Sequence, residues 1–167
     1  MTNKNGRIVA LLFALFACIG CDQATKVVAS RQLATMPPIS FWGNLFRLEY
    51  AENPGAFLSF GASMSEDLRF WIFVVIVSLI LIAAITFLIR HVGSWPMPTL
   101  LALVLVISGG FSNLLSRLLN NGHVIDFMNV GIGGLRTGIF NVADMAIMGG
   151  VGLLFLFSLR RPHGEES

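Results

Sequence analysis

The sequence predicts an all-α membrane protein: four transmembrane helices with a small extracytoplasmic β-rich segment between helices 1 and 2. Of its 167 residues, 55% are hydrophobic and only 12% are charged, and the mean hydropathy is +0.77. A soluble chain of this size leaves much of its surface in water and cannot hide so many apolar side chains. Four apolar stretches are also long enough to cross the hydrocarbon core as helices, namely Ile8–Ser30, Leu68–Ile89, Met97–Leu119 and Gly138–Leu159.

The rest of the composition indicates one integral membrane domain over residues 1–167. No linker, internal repeat or low-complexity segment divides the chain. The formal net charge of +2 is dispersed, with no basic run interleaved with aromatic residues. We therefore expect no nucleic-acid partner.

The first span begins like a secretory signal peptide, because Lys4 and Arg7 precede its apolar run. The run continues past Cys21, however, and contains Asp22 and Lys26, which a discarded leader would not need. We therefore expect an anchored first helix.

The second and third spans are predicted to form an antiparallel hairpin, since only a short turn containing Gly93 and Trp95-Pro96 separates them. Lys and Arg are divided almost evenly between the two sides of the membrane. The short basic ends and this turn favour one side as cytoplasmic, which places both termini in the cytoplasm.

Polar residues in three spans are expected at one depth, towards the outer face. Spans 1 and 3 run outward and carry them near their ends, and span 4 runs inward and carries them near its start. Each intramembrane charge costs at least ~2.5 kcal/mol, so such groups should pair around a protected cavity. The alternative is that they are interhelical contacts that hold a bundle together. At helical spacing they form the pairs Asp22 and Lys26, Asn113 and Arg117, and Asn141 and Asp144, and Asp144 is expected about 9 Å below the start of its helix.

Two segments lie outside the spans. Arg31 to Asp67 alternates apolar and polar residues between prolines and predicts a small sheet. Its aromatic residues either rest in the headgroup zone or pack the sheet. Asn120 to Thr137 contains four glycines and predicts a loop that is flexible except around Asp126, which stands among apolar residues. Asp126 and Asp144 are thus two carboxylates that can meet at the outer membrane level.

Four short motifs resemble those of the lipoprotein signal peptidase (signal peptidase II) family. Asp22-Gln23-Ala24-Thr25-Lys26 is similar to D-x-x-[ST]-K, and Asn53-Pro54-Gly55-Ala56 to N-x-G-A. Gly109 to Arg117, followed by Val124-Ile125-Asp126-Phe127, resembles G-G-x-x-G-N-x-x-D-R and V-x-D-F. Phe140-Asn141-Val142-Ala143-Asp144 matches F-N-x-A-D. All four stand in order at the expected places relative to the spans, over nearly the whole chain.

The resemblance implies a membrane aspartic endopeptidase in the bacterial cytoplasmic (inner) membrane, with its active site near the outer face. Its substrates would be prolipoproteins whose cysteine carries diacylglycerol, cleaved just before that cysteine, and membrane lipids would be further partners. Asp126 and Asp144 would be the catalytic dyad. Residues that position the substrate or support the dyad would be Asp22, Lys26, Asn53, Gly55, Asn113, Arg117 and Asn141.

The chain departs from the family pattern at three places. Ser112 replaces a glycine, Ser116 replaces the acid before Arg117, and Phe57-Leu58-Ser59 replaces A-F-S. Loss of the acid at Ser116 is expected to remove a partner of Arg117, and Phe57 to reshape the substrate cleft. A divergent paralogue with altered substrate preference is consistent with these changes.

Two other functions fit parts of the pattern. A serine-lysine peptidase would use Ser59 and Lys26. A small transporter or proton-relay protein would use its intramembrane acids as a pathway, although transporters place their sites near the midplane and show repeats. We expect no metal and no cofactor, because His123 and Asp126 lack further suitable ligands nearby in the sequence.

Overall fold

The computed structural model describes residues 4–55, 61 and 63–159. Its helices, named in chain order, are α1 (Lys4–Gln32), α2 (Glu66–His91), α3 (Met97–Leu119) and α4 (Val142–Leu159). Each is long and apolar enough to cross a membrane, so the described part of the chain has the four predicted spans. Its strands are β1 (Ile39–Phe41), β2 (Phe46–Asn53), β3 (Val124–Ile132) and β4 (Leu135–Arg136).

The bounds of the third span agree with the prediction, whereas the fourth helix starts later than predicted. Residues 138–141 are apolar enough to continue the span, but Phe140 forms a β-bridge with Met128 of β3. The Phe140 N–H donates to the Met128 carbonyl at 2.8 Å, and the Met128 N–H donates to the Phe140 carbonyl at 2.9 Å. Asp144 therefore lies in the first turn of α4, and the predicted depth of about 9 Å below the helix start is wrong.

The second helix is irregular in its N-terminal part. It begins after Ser65, whose hydroxyl accepts a hydrogen bond from the Leu68 N–H at 3.4 Å, and Glu66 and Asp67 occupy its first turn. The stretch Trp71–Ile76 is a π-helix, which leads into regular α-helix from Val77. Within this π-helical stretch Phe73 is the buried residue, and such wider turns are frequent at functional sites.

Helix α3 forms the centre of the bundle. In its most apolar stretch of 18 residues half of the residues are buried, against 11% in the corresponding stretch of each of the other three helices. Its N-terminal end packs with α1 and with the α2–α3 turn through Leu11, Val92, Leu100 and Val104. At the same end Arg7 donates hydrogen bonds to the carbonyls of Gly93 and Trp95, so the start of α1 and the α2–α3 turn lie on the same side, as the four-span topology predicts.

Close approach of α3 and α4 depends on glycine. A Cβ added to Gly150 would lie 2.6 Å from the Ala102 carbonyl oxygen and 2.7 Å from a methyl group of Val106. A Cβ added to Gly109 would lie 2.4 Å from the Ala143 carbonyl oxygen. Small residues at such crossings let helix backbones touch inside a membrane.

Gly150→Ala is therefore expected to push α4 away from α3 and to lower the melting temperature of the detergent-solubilised protein by several degrees, as overpacking costs ~1–3 kcal/mol. Gly149→Ala is the matched control, because an added Cβ there meets nothing within 4 Å and alanine favours the helix. Thermal unfolding followed by circular dichroism compares the two. Equal melting temperatures would contradict the close packing at Gly150.

The predicted sheet forms, and it also recruits the second outer segment. Its four strands are antiparallel in the order β1-β2-β3-β4. Asn53 pairs with Val124 and Ala51 with Asp126, with a bulge between Leu48 and Ala51. The stretch around Asp126, predicted as loop, is thus strand β3. Ile125 and Phe127 pack against Ala29 near the C-terminal end of α1, which fixes the sheet on the helices.

Candidate active site

Asp126 lies on β3, and its carboxylate is held by two amide side chains. Its carboxylate accepts hydrogen bonds from Asn53 Nδ2 at 2.9 Å and from Asn141 Nδ2 at 2.6 Å. Only 2% of the residue is exposed. Burial raises the pKa of this carboxyl to about 6; the negative charge of Asp144 acts in the same direction, and the two amide donors oppose it. Asp126 therefore keeps its proton to a higher pH than an ordinary aspartate.

Asp144 is held at the start of α4 by reciprocal hydrogen bonds with Asn141. The Asn141 side-chain oxygen accepts from the Asp144 N–H at 3.0 Å, and the Asp144 carboxylate accepts from the Asn141 N–H at 3.1 Å. This is the arrangement of a capping box, in which the first and fourth residues satisfy each other's backbone donors. The motif Asn141 to Asp144 thus both begins the helix and fixes the Asp144 carboxylate.

Asn113 and Asn141 link the two carboxylates. Asn113 Nδ2 donates to Asp144 at 2.9 Å, and Asn141 Nδ2, which donates to Asp126, also lies 3.2 Å from Asn113 Oδ1. Each carboxylate therefore receives an amide donor, and the two amides contact each other. The predicted meeting of Asp126 with Asp144 at one level fits this arrangement.

Asp22 and Lys26 form a buried ion pair behind the two asparagines. Lys26 Nζ lies 2.7 Å from the Asp22 carboxylate and donates to Asn113 Oδ1 at 2.8 Å. The other Asp22 oxygen accepts from the Ala143 N–H at 2.8 Å, which satisfies a free donor in the first turn of α4. The pair thus orients Asn113 and anchors the helix that carries Asp144.

The sequence did not point to Gln23, which completes this network. Gln23 Nε2 donates to Ser112 Oγ at 2.8 Å and lies 3.3 Å from Ser116 Oγ, while the Ser112 hydroxyl donates to Asp22 at 2.7 Å. Ser112 and Ser116, two departures from the family pattern, therefore both face α1. Gln23 lies on α1 and the two serines lie on α3, 89 residues away for Ser112. No helical-spacing rule could therefore have identified this contact.

Arg117 faces away from Ser116. Its guanidinium donates to the carbonyl oxygens of Gly55 at 2.5 Å and of Gly122 at 3.0 Å and lies 5.0 Å from the centre of the Phe73 ring. In this chain the contacts of Arg117 therefore lie away from position 116, because neighbouring residues on a helix point about 100° apart. Two carbonyl oxygens and an aromatic ring take the place of a carboxylate.

The two carboxylates open into one cavity of about 230 Å³. The polar part of its wall contains Asn53, Asn113 and Arg117, and the apolar part contains residues of α2, α3 and α4, namely Phe73, Val77, Gly110, Leu114 and Ile147. A second cavity of about 440 Å³ shares Phe73 and Arg117 with it and extends past the start of α2. A substrate with both apolar and polar parts fits such a cleft.

All nine residues proposed from the sequence thus belong to one connected site. Gly55 joins it through its backbone, since its N–H donates to Asn53 Oδ1 at 2.9 Å and its carbonyl binds Arg117. Phe57 and Ser59 lie outside the described residues, so their expected effects stay predictions.

Comparison with known proteins identifies relatives over most of the chain. The family model described as "Signal peptidase (SPase) II" matches residues 14–160. The lipoprotein signal peptidase of Geobacter sulfurreducens is 40% identical over 139 residues, which cover 83% of this chain and 84% of that protein. The protein of the same name from Tropheryma whipplei is 36% identical and covers 94% of this chain and 97% of its own.

Solved structures show the same fold. One described as a bacterial membrane enzyme superposes with a TM-score of 0.77 and covers 96% of both chains at 23% sequence identity. A second, with the same description, has a TM-score of 0.75 and covers 93% of this chain.

Proposed function

The chain belongs to the signal peptidase II family, and we propose that it is an aspartic endopeptidase that removes the signal peptides of prolipoproteins, with Asp126 and Asp144 as its catalytic dyad. The observation that carries this proposal is the pair of carboxylates that line one cavity and are joined through Asn113 and Asn141. The transporter alternative is not favoured, because the family match extends over residues 14–160.

The chemistry follows from two acids in one buried site. Two such groups cannot both ionise cheaply, so the pair holds one proton. The ionised carboxylate takes a proton from a water molecule, whose oxygen attacks the scissile carbonyl. The protonated carboxyl donates to the carbonyl oxygen, and a proton then passes to the leaving amine as the C–N bond breaks. Because Asn53, Asn113 and Asn141 hold both carboxylates, little reorganisation is needed for these transfers.

The remaining predicted residues support the dyad. Asp22 and Lys26 orient Asn113 and α4, and Arg117 holds the backbone at Gly55 next to Asn53. In a serine-lysine mechanism Lys26 would have to act as a base, but its ammonium group binds Asp22 and Asn113. This contact favours a structural role for Lys26.

We further propose that the substrates carry diacylglycerol on the cysteine that follows the cleavage site. The cavity adjoins both apolar helix surfaces, at Val77 and Ile147, and the polar dyad. A lipid anchor would bring the scissile bond to that level. The basic residues Lys4, Arg7 and Arg90 lie at the opposite end of the bundle from the dyad and favour cytoplasmic termini, with the active site near the outer face of the inner membrane.

The function is tested by expressing the chain in bacteria depleted of their own lipoprotein signal peptidase and following a lipidated precursor on gels. We expect the precursor to be converted to the mature lipoprotein. The matched control is the same precursor with its lipidated cysteine replaced by serine, which should stay uncut. Accumulation of the unprocessed precursor despite normal levels of the membrane protein would exclude the proposed function.

The raised pKa of Asp126 predicts that the protein becomes less stable as the pH rises. Between 3.8 and about 6, its pKa values outside and inside the fold, the folded chain retains a proton that the unfolded chain has released. The free energy of unfolding therefore falls across this window and is constant above it, with a total loss of up to ~3 kcal/mol for a shift of about two pKa units.

Melting temperatures in detergent between about pH 4 and about pH 7 test this dependence. Asp126→Asn cannot ionise, and its altered hydrogen bonding shifts stability equally at every pH. Its melting temperature relative to that of the unmodified protein should therefore rise with pH. Parallel pH profiles for the two proteins would contradict a buried, proton-retaining Asp126.

A further inference from the structure

The two hairpin tips at the far end of the sheet lie side by side. The Gly131 N–H donates to the Leu45 carbonyl at 2.9 Å, and Arg136 Nη1 donates to the Asn44 carbonyl at 2.8 Å. From Asn53, next to Asp126, strand β2 runs seven residues to Phe46, a distance of roughly 23 Å. This end of the sheet therefore takes no direct part in the active site.

Apolar side chains cover these tips without being buried. Trp42 is 79% exposed, Ile132 79% and Leu135 85%, and Phe41 and Leu45 are also exposed. We call these five residues the tip patch. The rings of Phe41, Trp42 and Phe46 contact one another at centroid distances of 6.1–6.5 Å, so the aromatic part forms one continuous surface. A patch of large apolar residues facing outward marks an interaction site.

The β1–β2 turn holds Trp42 outward at a cost in backbone strain. Trp42, Gly43 and Asn44 have φ angles of 50°, 63° and 73°. A left-handed conformation is unfavourable for a bulky residue such as tryptophan. Strain of this kind persists where it serves a function, and tryptophan is the residue that prefers the membrane–water interface.

Two arginines border the tip patch and share Asn44. Arg47 Nε donates to Asn44 Oδ1 at 2.5 Å, and Arg136 donates to the Asn44 carbonyl and to Asn129 Oδ1. Among the described residues neither arginine forms an ion pair, and the buried Arg136 Nη2 has no acceptor. Glu49 lies two residues from Arg47 on β2 and offsets part of their charge. The cluster therefore retains a net positive charge.

We propose that the tip patch rests on the extracytoplasmic surface of the inner membrane and that Arg47 and Arg136 together bind the phosphate group of an anionic phospholipid. Guanidinium groups suit phosphate because their donors match its oxygens in pairs. In this arrangement Trp42 and its neighbours occupy the headgroup zone. Such a contact would hold the distal end of β3, the strand that carries Asp126, against the membrane.

The experiment reconstitutes the full chain in nanodiscs that contain phosphatidylcholine and a minor fraction of phosphatidylglycerol. One lipid or the other carries bromine near its headgroup, and tryptophan fluorescence is measured. The quenching that disappears in Trp42→Phe is the share of Trp42, which separates it from Trp71 and Trp95. We expect brominated phosphatidylglycerol to quench Trp42 more than brominated phosphatidylcholine at the same mole fraction.

The variants assign that preference to the arginines. Arg47→Gln should weaken it roughly fivefold, the effect of one basic residue at an anionic surface, and Arg136→Lys should weaken it by loss of the planar fork. Arg31→Gln is the matched control, because it removes an exposed charge at the outer end of α1 away from the tips. Inorganic phosphate added at the concentration of the lipid phosphate should leave the preference unchanged.

Several outcomes would overturn the proposal. Equal quenching by both brominated lipids would exclude selection of an anionic headgroup, and absence of quenching by either would place Trp42 in water. Retention of the full preference in both Arg47→Gln and Arg136→Lys would exclude the arginines. Loss of the preference on adding inorganic phosphate would indicate a site for the free ion. None of these readings depends on cleavage of a prolipoprotein.

Discussion

Asp126→Asn and Asp144→Asn should each abolish cleavage of a lipidated precursor while the protein still inserts and accumulates. Each change removes a proton-transfer group with almost no change in shape, and loss of general acid–base catalysis costs ~10²–10⁴-fold in rate. The Asn141 and Asn113 side chains continue to fill the site, so the fold should survive. Precursor processing over time, at matched membrane protein levels, is the measurement.

Ser59→Ala is the informative control for these two variants. It should leave substantial activity, because in the proposed mechanism water is the nucleophile. If Ser59→Ala alone inactivated a well-folded protein, the serine-lysine mechanism would replace the aspartic one. Near-normal processing by either aspartate variant would exclude the dyad.

Much of the site could be predicted because its residues lie at helical spacing or within short motifs. Asp22 and Lys26 are four residues apart, and in the structure they form the ion pair that this spacing favours. Asn141 and Asp144 are three apart, and they form the start of a helix. In both cases the interaction is local, so the sequence alone carries the information.

The missed features depend on contacts between distant parts of the chain. Local composition predicts a loop over β3, flexible except around Asp126, but the partner strand β2 lies some seventy residues earlier, as in the pairing of Asn53 with Val124. The start of α4 was placed too early for a similar reason, since Phe140 is apolar but pairs with Met128. Tertiary pairing overrides local composition in both segments.

The directions of Ser116 and Arg117 could not be predicted because they depend on the rotation of α3 within the bundle. The family pattern suggested a partnership between position 116 and Arg117. In the structure Ser116 faces Gln23 on α1, whereas Arg117 reaches Gly55, Gly122 and Phe73. Which face of a helix meets which neighbour is set by packing, and a single sequence does not encode it in any local spacing.

The hydrogen bonds of Arg117 connect two strands of the site. Its two terminal nitrogens bind carbonyl oxygens on either side of the site, at Gly55 after β2 and at Gly122 before β3. Those are the strands that carry Asn53 and Asp126, which are themselves hydrogen-bonded. We therefore propose that Arg117 is a positioning residue, which spans both strands with one planar group.

Arg117→Lys should therefore slow precursor processing by roughly tenfold or more, although the positive charge remains. A lysine ammonium group lacks the fork that reaches both carbonyls, and one hydrogen bond to a charged group is worth ~1.5–3 kcal/mol. Because Asp126 would be less well held, the loss should appear mainly in kcat rather than in KM. Rates are referred to the amount of folded protein, so that partial unfolding does not contribute to the loss. Ser116→Asp is the matched change at the neighbouring position. Its carboxylate would face the Gln23 amide, a hydrogen-bond donor, and activity should be retained.

Wild-type rates for Arg117→Lys would show that the fork is dispensable. Collapse of activity in Ser116→Asp would show that the Gln23 network tolerates only the neutral hydroxyl found in this chain.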